Sequence, residues 1–158
     1  YKDVVMALSV QGGAVQWETR SLIKPTISKG LSYGNNMIYV LTSDVNDTGR
    51  GLDQKDQVVS LQIEDGSQIW TQDVKRLKGA TPLRPLVTDK LVYVKGNYNN
   101  KSAISAMDIA TGEKISYVFI NSVLESLGVN QVADIKLLGE QLYVLTHLKD
   151  GVKLVCER

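Results

Sequence analysis

The chain has 158 residues, of which 43% are hydrophobic and 22% are charged, a composition typical of a globular domain with a sizeable core. Its net charge of +1 gives no broad electrostatic case for binding nucleic acid or an anionic membrane surface. No apolar run reaches the length of a transmembrane helix, and the single cysteine, Cys156, excludes an internal disulfide and a cysteine-based metal site.

A hairpin of two short strands is predicted near the start of the chain, and the same unit recurs twice. Each copy has an apolar strand, a turn that ends in glycine, and a second strand. In the central copy, Val59 and Leu61 alternate with Ser60, the pattern of a strand with one buried face. The turn glycine and the residue four places later are Gly13 and Trp17, Gly66 and Trp70, and Gly112 and Ser116.

A tyrosine inside an apolar strand recurs with about the same period as the hairpin. Tyr39, Tyr93 and Tyr143 lie 54 and 50 residues apart, and the turn glycines lie 53 and 46 residues apart. Because two separate markers share a period of about fifty residues, the sequence predicts a repeat array.

Each unit has its elements in the order strand, strand, loop, strand, turn, strand. In chain order, strands are predicted over residues 4–10, 14–19, 37–43, 58–63, 68–74, 91–95, 103–109, 114–120, 132–137, 141–146 and 152–156, with others beginning at 24–27 and 83–87. Loops are predicted at residues 44–56 and 96–101. A short helix is predicted at residues 121–128, with Asn121 as its cap and Gly128 as its terminator.

Four antiparallel strands per fifty or so residues are typical of a β-propeller blade. The fold is therefore predicted to be all-β, a section of a propeller with about three blades' worth of strands. The blade units cover roughly residues 1–20, 21–75, 80–120 and 130–158. Because a blade needs neighbours on both faces to bury its apolar residues, we expect these residues to belong to a larger propeller.

The hairpin unit resembles the repeat of the pyrroloquinoline-quinone-like, or quinoprotein dehydrogenase-like, β-propellers, and the resemblance covers most of the chain. The signature of that family is Ala-Leu-Asp-x-x-Thr-Gly-x-x-x-Trp after a Val-Tyr-Val strand. The matching residues are Ala7, Leu8, Gly13 and Trp17 in the first copy, Leu61, Gly66 and Trp70 in the second, and Ala106, Met107, Asp108, Thr111 and Gly112 in the third.

The resemblance implies a structural role for the repeated glycine and tryptophan. In this family the tryptophan of one blade docks against the glycine of a neighbour, which assigns blade docking to Gly13, Trp17, Gly66, Trp70 and Gly112. The physical reason is that an indole buries a large area, and a residue without a Cβ lets the ring lie on the backbone.

Resemblance to this family does not by itself give a function. A quinoprotein dehydrogenase would need a calcium held by Glu and Asn side chains, a catalytic Asp and often adjacent cysteines. The sequence matches none of these motifs, so no catalytic residue and no cofactor-binding residue is predicted. The single histidine, His147, has no partner for a catalytic triad nearby in sequence.

The predicted function is a non-enzymatic protein-interaction scaffold, part of a larger propeller in an extracytoplasmic or luminal assembly. Non-catalytic members of the family occupy such places at the bacterial outer membrane and in the endoplasmic-reticulum lumen. The expected partners are other protein subunits or the remainder of the chain's own propeller, with no nucleic acid and no membrane insertion by this segment. The alternatives are a fragment of a quinone-dependent dehydrogenase and a propeller that binds carbohydrate or a cell surface.

The polar loop that follows the first tyrosine strand partly fits an EF-type calcium loop. Asp44, Asn46 and Thr48 provide oxygens at positions one, three and five. Position twelve is Lys55 rather than the bidentate Glu, so Asp53 or Asp56 would have to substitute. A solvated polar loop is the preferred interpretation, and the site for calcium is the alternative.

Two sequons for N-glycosylation begin at Asn46 and Asn100. Both lie in the predicted loops between the second and third strands of their blades, on one rim. This placement favours a secretory-pathway lumen, and chance occurrence of the motif is the alternative.

Overall fold

The structure is a computed structural model, and it describes residues 4–20, 26–44, 56–74, 84–98, 101–119, 131–138, 141–148 and 151–157. In these ranges all regular elements are β-strands, which confirms the all-β prediction for the described residues. The strands are β1 (Val5–Leu8), β2 (Val15–Thr19), β3 (Thr26–Gly34), β4 (Met37–Asp44), β5 (Asp56–Gln62), β6 (Gln68–Val74), β7 (Leu86–Val87), β8 (Leu91–Tyr98), β9 (Lys101–Asp108), β10 (Lys114–Phe119), β11 (Gln131–Leu138), β12 (Gln141–Leu148) and β13 (Gly151–Glu157).

The strands form four antiparallel sheets in chain order. The first sheet contains β1 and β2, the second has the order β3-β4-β5-β6, the third β7-β8-β9-β10, and the fourth β11-β12-β13. Each four-stranded sheet is a meander of sequential neighbours, which is the build of a propeller blade. The described residues thus form the outer half of one blade, two blades and three strands of another, named here the first hairpin and the second, third and fourth blades.

The hydrophobic core lies between the sheets. One cluster joins the first hairpin to the second blade and contains Val5, Val40, Val59 and Leu61, with Trp17 and Ile38 packed against it. A second cluster joins the second and third blades and contains Tyr39, Leu41, Val58, Trp70, Val74, Val92, Val94 and Met107. Stacking of blade on blade is therefore what buries the apolar side chains of each sheet.

Strand β5 shows where the sequence pattern was misleading. Its alternation predicted one buried face, but Ser60 is fully buried like its neighbours Val59 and Leu61. The reason is that the second blade is covered on both faces, by the first hairpin on one side and by the third blade on the other. A small polar residue in the middle of a stacked blade therefore does not mark a solvated face.

The loop predicted at residues 96–101 was wrong in its extent. Strand β8 continues through Tyr98 and β9 begins at Lys101, so that Gly96 pairs with Ala103 and Asn97 pairs with Ser102. Cross-strand pairing overrides the turn preference of glycine and asparagine here, because strand propensity depends strongly on context. At the start of the third blade the strand proper is only Leu86–Val87.

Several predictions fall outside the described residues. The helix at 121–128 lies there, as does the polar loop at 45–55, so both stay predictions. Within the described part of the chain, no helix is long and apolar enough to cross a bilayer.

Candidate functional site

The three glycine turns have one backbone conformation. The φ angles of Gly13, Gly66 and Gly112 are 70°, 71° and 72°, in the left-handed region that favours glycine. In each turn the glycine N–H donates to the carbonyl four residues earlier, at 2.8, 3.0 and 2.9 Å in turn. Because the same hydrogen bond closes all three turns, the turn glycine has the same backbone conformation in each copy.

The side chains that support these turns differ. In the third turn, Asp108 Oδ1 accepts from the N–H groups of Ala110 and Thr111, both at 2.9 Å, and from the Thr111 hydroxyl at 3.0 Å. The backbone N–H of Thr111, and then its hydroxyl, lower the pKa of Asp108 because they stabilise the ionised carboxylate. In the first turn the Ser9 hydroxyl accepts from the Gln11 N–H at 3.3 Å.

Acidic side chains also support the second turn. Asp65 Oδ1 accepts from the Ser67 N–H at 2.8 Å, and the Ser67 side chain and backbone lower the pKa of Asp65. Glu64 accepts hydrogen bonds from Asn36 and Gln62, which lower the pKa of its carboxyl group. These carboxylates accept hydrogen bonds from neighbouring groups of the turn, so they do not form an acidic site that is open to a ligand.

Trp17 from the first hairpin lies on the turn of the second blade. A Cβ built on Gly66 would lie 2.4 Å from Cε3 of the Trp17 ring, so only glycine fits beneath the indole. The indole N–H donates to the carbonyl of Ile63 at 2.8 Å. The Thr19 hydroxyl, two residues further along β2, donates to the carbonyl of Gly66 at 2.6 Å.

Trp70 repeats this contact on the turn of the third blade. A Cβ on Gly112 would lie 2.6 Å from Cδ2 and Cε3 of Trp70, and the indole N–H donates to the carbonyl of Ile109 at 3.0 Å. With its amide oriented so that both ends have complementary partners, Gln72 donates to the Gly112 carbonyl at 3.1 Å. Each junction therefore combines an indole on a glycine with two side-chain donors to the turn's carbonyls.

Tyr39 packs beside the second junction. Its ring centroid lies 5.8 Å from that of Trp70 at an interplanar angle of 41°, and the side chain is fully buried. Burial raises the pKa of Tyr39, and the neighbouring Ser60 hydroxyl acts in the opposite direction. The first of the repeated tyrosines therefore belongs to the same blade-to-blade packing as the tryptophan.

A further set of contacts joins the first strands of the second and third blades. The Asn35 side chain donates to the carbonyl of Asp89 at 2.7 Å, and the Ser32 hydroxyl donates to the carbonyl of Pro85. A Cβ on Gly34 would lie 2.4 Å from Cγ1 of Val87. Blade docking thus takes place at both the inner and the outer strands of these sheets.

The predicted docking residues do not all have a docking partner in the described chain. Trp17 meets Gly66 and Trp70 meets Gly112, whereas nothing in the described residues lies within 4 Å of a Cβ position on Gly13. Ser116 takes the tryptophan position on β10.

Most of the other predicted site residues lie outside the residues that the structure describes. Asp44 is the last residue of β4, while Asn46, Thr48 and Asp53 lie outside the described residues, as does Asn100. The calcium loop and the two sequons therefore stay predictions. His147 lies on β12 and Cys156 on β13, and no group of three or more metal-ligating side chains occurs among the residues that the structure describes.

Sequence reasoning missed the second donor of each junction. Thr19 and Gln72 both lie two residues after a tryptophan and both reach the carbonyl of the docked glycine. Their residue types differ, so the shared signal is their spacing from the tryptophan and their capacity to donate. In the third copy this position is Val118, which has no side-chain donor.

These contacts hold blade to blade, and their geometry is that of a section of a β-propeller. A family model described as PQQ_2, outer membrane protein assembly factor BamB, matches residues 1–156. The chain therefore belongs to this family of pyrroloquinoline-quinone-like propellers, as the repeat predicted. No curated protein matches the chain.

The solved structures that share the fold include two quinohemoprotein alcohol dehydrogenases. The quinohemoprotein alcohol dehydrogenase from Comamonas testosteroni is 17% identical, with a TM-score of 0.61 over 90% of this chain and 26% of that one. The quinohemoprotein alcohol dehydrogenase ADHIIG from Pseudomonas putida HK5 is 12% identical, with a TM-score of 0.63 over 90% of this chain and 25% of that one. The chain thus spans about a quarter of the length of these structures.

Proposed function

We propose that the chain is a section of a non-enzymatic scaffold, a larger propeller that binds other protein subunits in an extracytoplasmic assembly. The observation that carries this proposal is the family match over residues 1–156, whose description is an outer membrane assembly factor. The likeness to two alcohol dehydrogenases concerns the fold alone, because it rests on 17% and 12% identity.

The chemistry of the repeated residues supports a structural role. Every tryptophan of the chain lies on a turn glycine and donates its N–H to a backbone carbonyl. Buried aromatic groups with a satisfied N–H contribute packing and geometric precision. A scaffold needs rigid blades of this kind and no cofactor.

Two exposed isoleucines offer a way to test partner binding without disturbing the core. Ile69 on β6 and Ile115 on β10 are 46% and 57% exposed and lie three residues after the turn glycines of their blades. The equivalent residue of the first hairpin is Gln16, which is also exposed. Exposed apolar residues at equivalent positions of two blades are candidates for contact with a protein partner.

The experiment uses the full-length polypeptide and purified subunits of the outer-membrane protein assembly machinery. A variant with Ile69→Asp and Ile115→Asp should weaken binding about tenfold or more, since buried charges at an interface cost more than 1.4 kcal/mol. Gln16→Asp is the matched control and should bind as the parent does. Absence of any binding by the parent, together with quinone binding and reduction of an artificial electron acceptor with alcohols, would overturn the scaffold and favour the dehydrogenase.

A further inference from the structure

The described strands form three junctions between neighbouring sheets, and the third junction, between the third and fourth blades, is built from different residue types. Strand β7 of the third blade lies against β11 of the fourth. Ile104 and Ala106 are 0% and 2% exposed and alternate along β9 with Met107, which packs on the second blade. Because alternate residues of a strand point to opposite faces, Ile104 and Ala106 are covered from the side of the fourth blade.

The outer strand makes two contacts at the second junction that have no equivalent at the third. Trp70 lies on Gly112, and Gln72 donates to the Gly112 carbonyl. Counted from the turn glycine, the equivalent residues of the third blade are Ser116 and Val118. A serine has no ring that could cover a glycine, and a valine has no side-chain donor. The outer strand of the third blade therefore cannot form either contact, whatever the sequence of the turn that it faces.

The inner strand shows the same difference between the second and third junctions. The Ser32 hydroxyl and the Asn35 amide both donate to carbonyl groups of the third blade. Pairing with the repeated tyrosines places Leu86 of the third blade where the second blade has Ser32. Three residues further on, Asp89 takes the place of Asn35. Because a leucine has no side-chain donor and an aspartate at neutral pH only accepts, these two contacts have no counterpart towards the fourth blade.

A charged residue takes the place of a core leucine at the third junction. Leu41 is 4% exposed and belongs to the cluster that joins the second and third blades, where its strand partner is Val58. At the equivalent position of the third blade, Lys95 pairs with Ile104 and is partly buried. An ammonium group must stay hydrated or paired, so a lysine buries less apolar surface in a junction than a leucine does. The third junction thus combines fewer anchoring contacts with a less apolar core.

We propose that the third junction opens before the other two, so that the fourth blade undocks from the third as a unit while the first hairpin and the second and third blades stay stacked. Opening of either earlier junction exposes an indole and breaks its hydrogen bond to a carbonyl, whereas the outer strand at the third junction has no tryptophan. Local opening has the lowest free energy where buried apolar contacts are fewest. This difference between the junctions is the same for a scaffold and for a dehydrogenase, because it depends on the stack of blades alone.

Thiol labelling at two matched positions measures the opening of the second and third junctions. Ser60 and Ala106 each lie six residues before a turn glycine, are 0% and 2% exposed, and face the following blade. Ser60→Cys and Ala106→Cys, made separately in the full-length polypeptide, place a small thiol in each junction. Iodoacetamide labelling is followed by mass spectrometry of peptides, and each rate is divided by that of the same thiol in the urea-unfolded polypeptide. The normalised rate at position 106 should exceed that at position 60 about tenfold or more.

A transfer of residue types tests whether the outer-strand contacts cause the difference. Trp70→Ser together with Gln72→Val gives the second junction the residues of the third, and should raise the normalised rate at position 60 about tenfold. The rate at position 106 should stay within about twofold of its value in the parent. Gln72→Val alone keeps the indole and should give a smaller increase, which covers the case in which the double variant does not fold. Gln68→Ser, an exposed change on the same strand, is the matched control and should leave both rates unchanged.

Two outcomes would overturn the proposal. One is a ratio of the two normalised rates below about threefold, because global unfolding exposes positions 60 and 106 alike. The other is a rate at position 60 that Gln72→Val and the folded double variant leave unchanged, which would show that these contacts do not keep the second junction closed. Quinone binding by the same preparation, or absence of partner binding, would count against the scaffold and leave the two labelling rates unchanged.

Discussion

The first turn and the two later turns share a backbone but differ in their surroundings. Gly66 and Gly112 lie beneath an indole, whereas Gly13 has open space at its Cβ position within the described chain, yet all three φ angles fall between 70° and 72°. The turn conformation is therefore set by its own hydrogen bonds and not by the docked ring. A receptor formed before docking lowers the entropy lost when two blades come together.

The two occupied junctions also differ from each other. Trp70 is 8% exposed and packs in a cluster with Tyr39, whereas Trp17 is only partly buried. The first junction has a two-stranded hairpin on one side, and the second has a complete blade on both sides. The contact between tryptophan and glycine should therefore contribute more to the free energy of unfolding at the second junction, where a complete blade lies on each side.

Removal of Trp70 has the largest expected effect. Trp70→Ala should lower the free energy of unfolding by about 3–5 kcal/mol, because it leaves a large cavity and removes the donor to the Ile109 carbonyl. Trp17→Ala should have a smaller effect, since that ring buries less surface. Urea unfolding followed by circular dichroism measures both changes.

Trp70→Phe is the intermediate variant between the parent and Trp70→Ala. Phenylalanine keeps a six-membered ring that can contact Tyr39 but loses the N–H and the five-membered ring, so its effect should lie between those of the parent and Trp70→Ala. Equal losses for Trp17→Ala and Trp70→Ala would contradict the difference between the two junctions.

A double-mutant cycle can recreate at Gly112 the open surroundings of Gly13. Gly112→Ala should cost about 2–4 kcal/mol, from the positive φ and from the clash with the Trp70 ring. In the Trp70→Ala background the clash is gone, so the same substitution should cost only about 1–2 kcal/mol. Thermal unfolding of the parent, the two single variants and the double variant gives the coupling.

A coupling energy near zero would contradict the expected clash between the added methyl group and the Trp70 ring. It would mean that the methyl group is accommodated beneath the indole by a small shift of the backbone, so that glycine is needed for its φ alone. In that case the contact between Trp70 and Gly112 would depend on surface burial and not on the missing Cβ.

The repeat made the main features of this fold predictable. A glycine with a tryptophan four residues later appears twice, so strands, turns and the identity of the docking residues could be inferred from spacing and from the family resemblance. The second donors could not be inferred from the sequence, because Thr19 and Gln72 are different residue types. Their common role appears only when two blades meet.

Other misses have a similar physical origin. Burial of Ser60 depends on a sheet stacked from distant sequence, which local alternation does not record. The extension of β8 through Asn97 depends on its pairing with Ser102 in the next strand. The residues that bury or pair with a given position in a stack of sheets come from distant parts of the sequence. A short stretch of sequence around that position therefore does not predict its burial or its pairing.

The smallest expected effect concerns the side chains that support the turns, and it depends on pH only where that side chain ionises. The folded-state pKa of Asp108 is lowered, so its hydrogen bonds add stability above the ordinary carboxyl pKa near 4, and that stability is lost as the pH falls through the folded pKa. Asp108→Ala should therefore lower the melting temperature near neutral pH, and its difference from the parent should shrink below about pH 4. Ser9→Ala, which removes the hydroxyl that supports the first turn, should show the same small difference at both pH values, because a serine hydroxyl does not titrate there. If the two variants respond to pH alike, the third turn does not depend on the charge of Asp108, and the three turns are equivalent in their support as well as in their backbone.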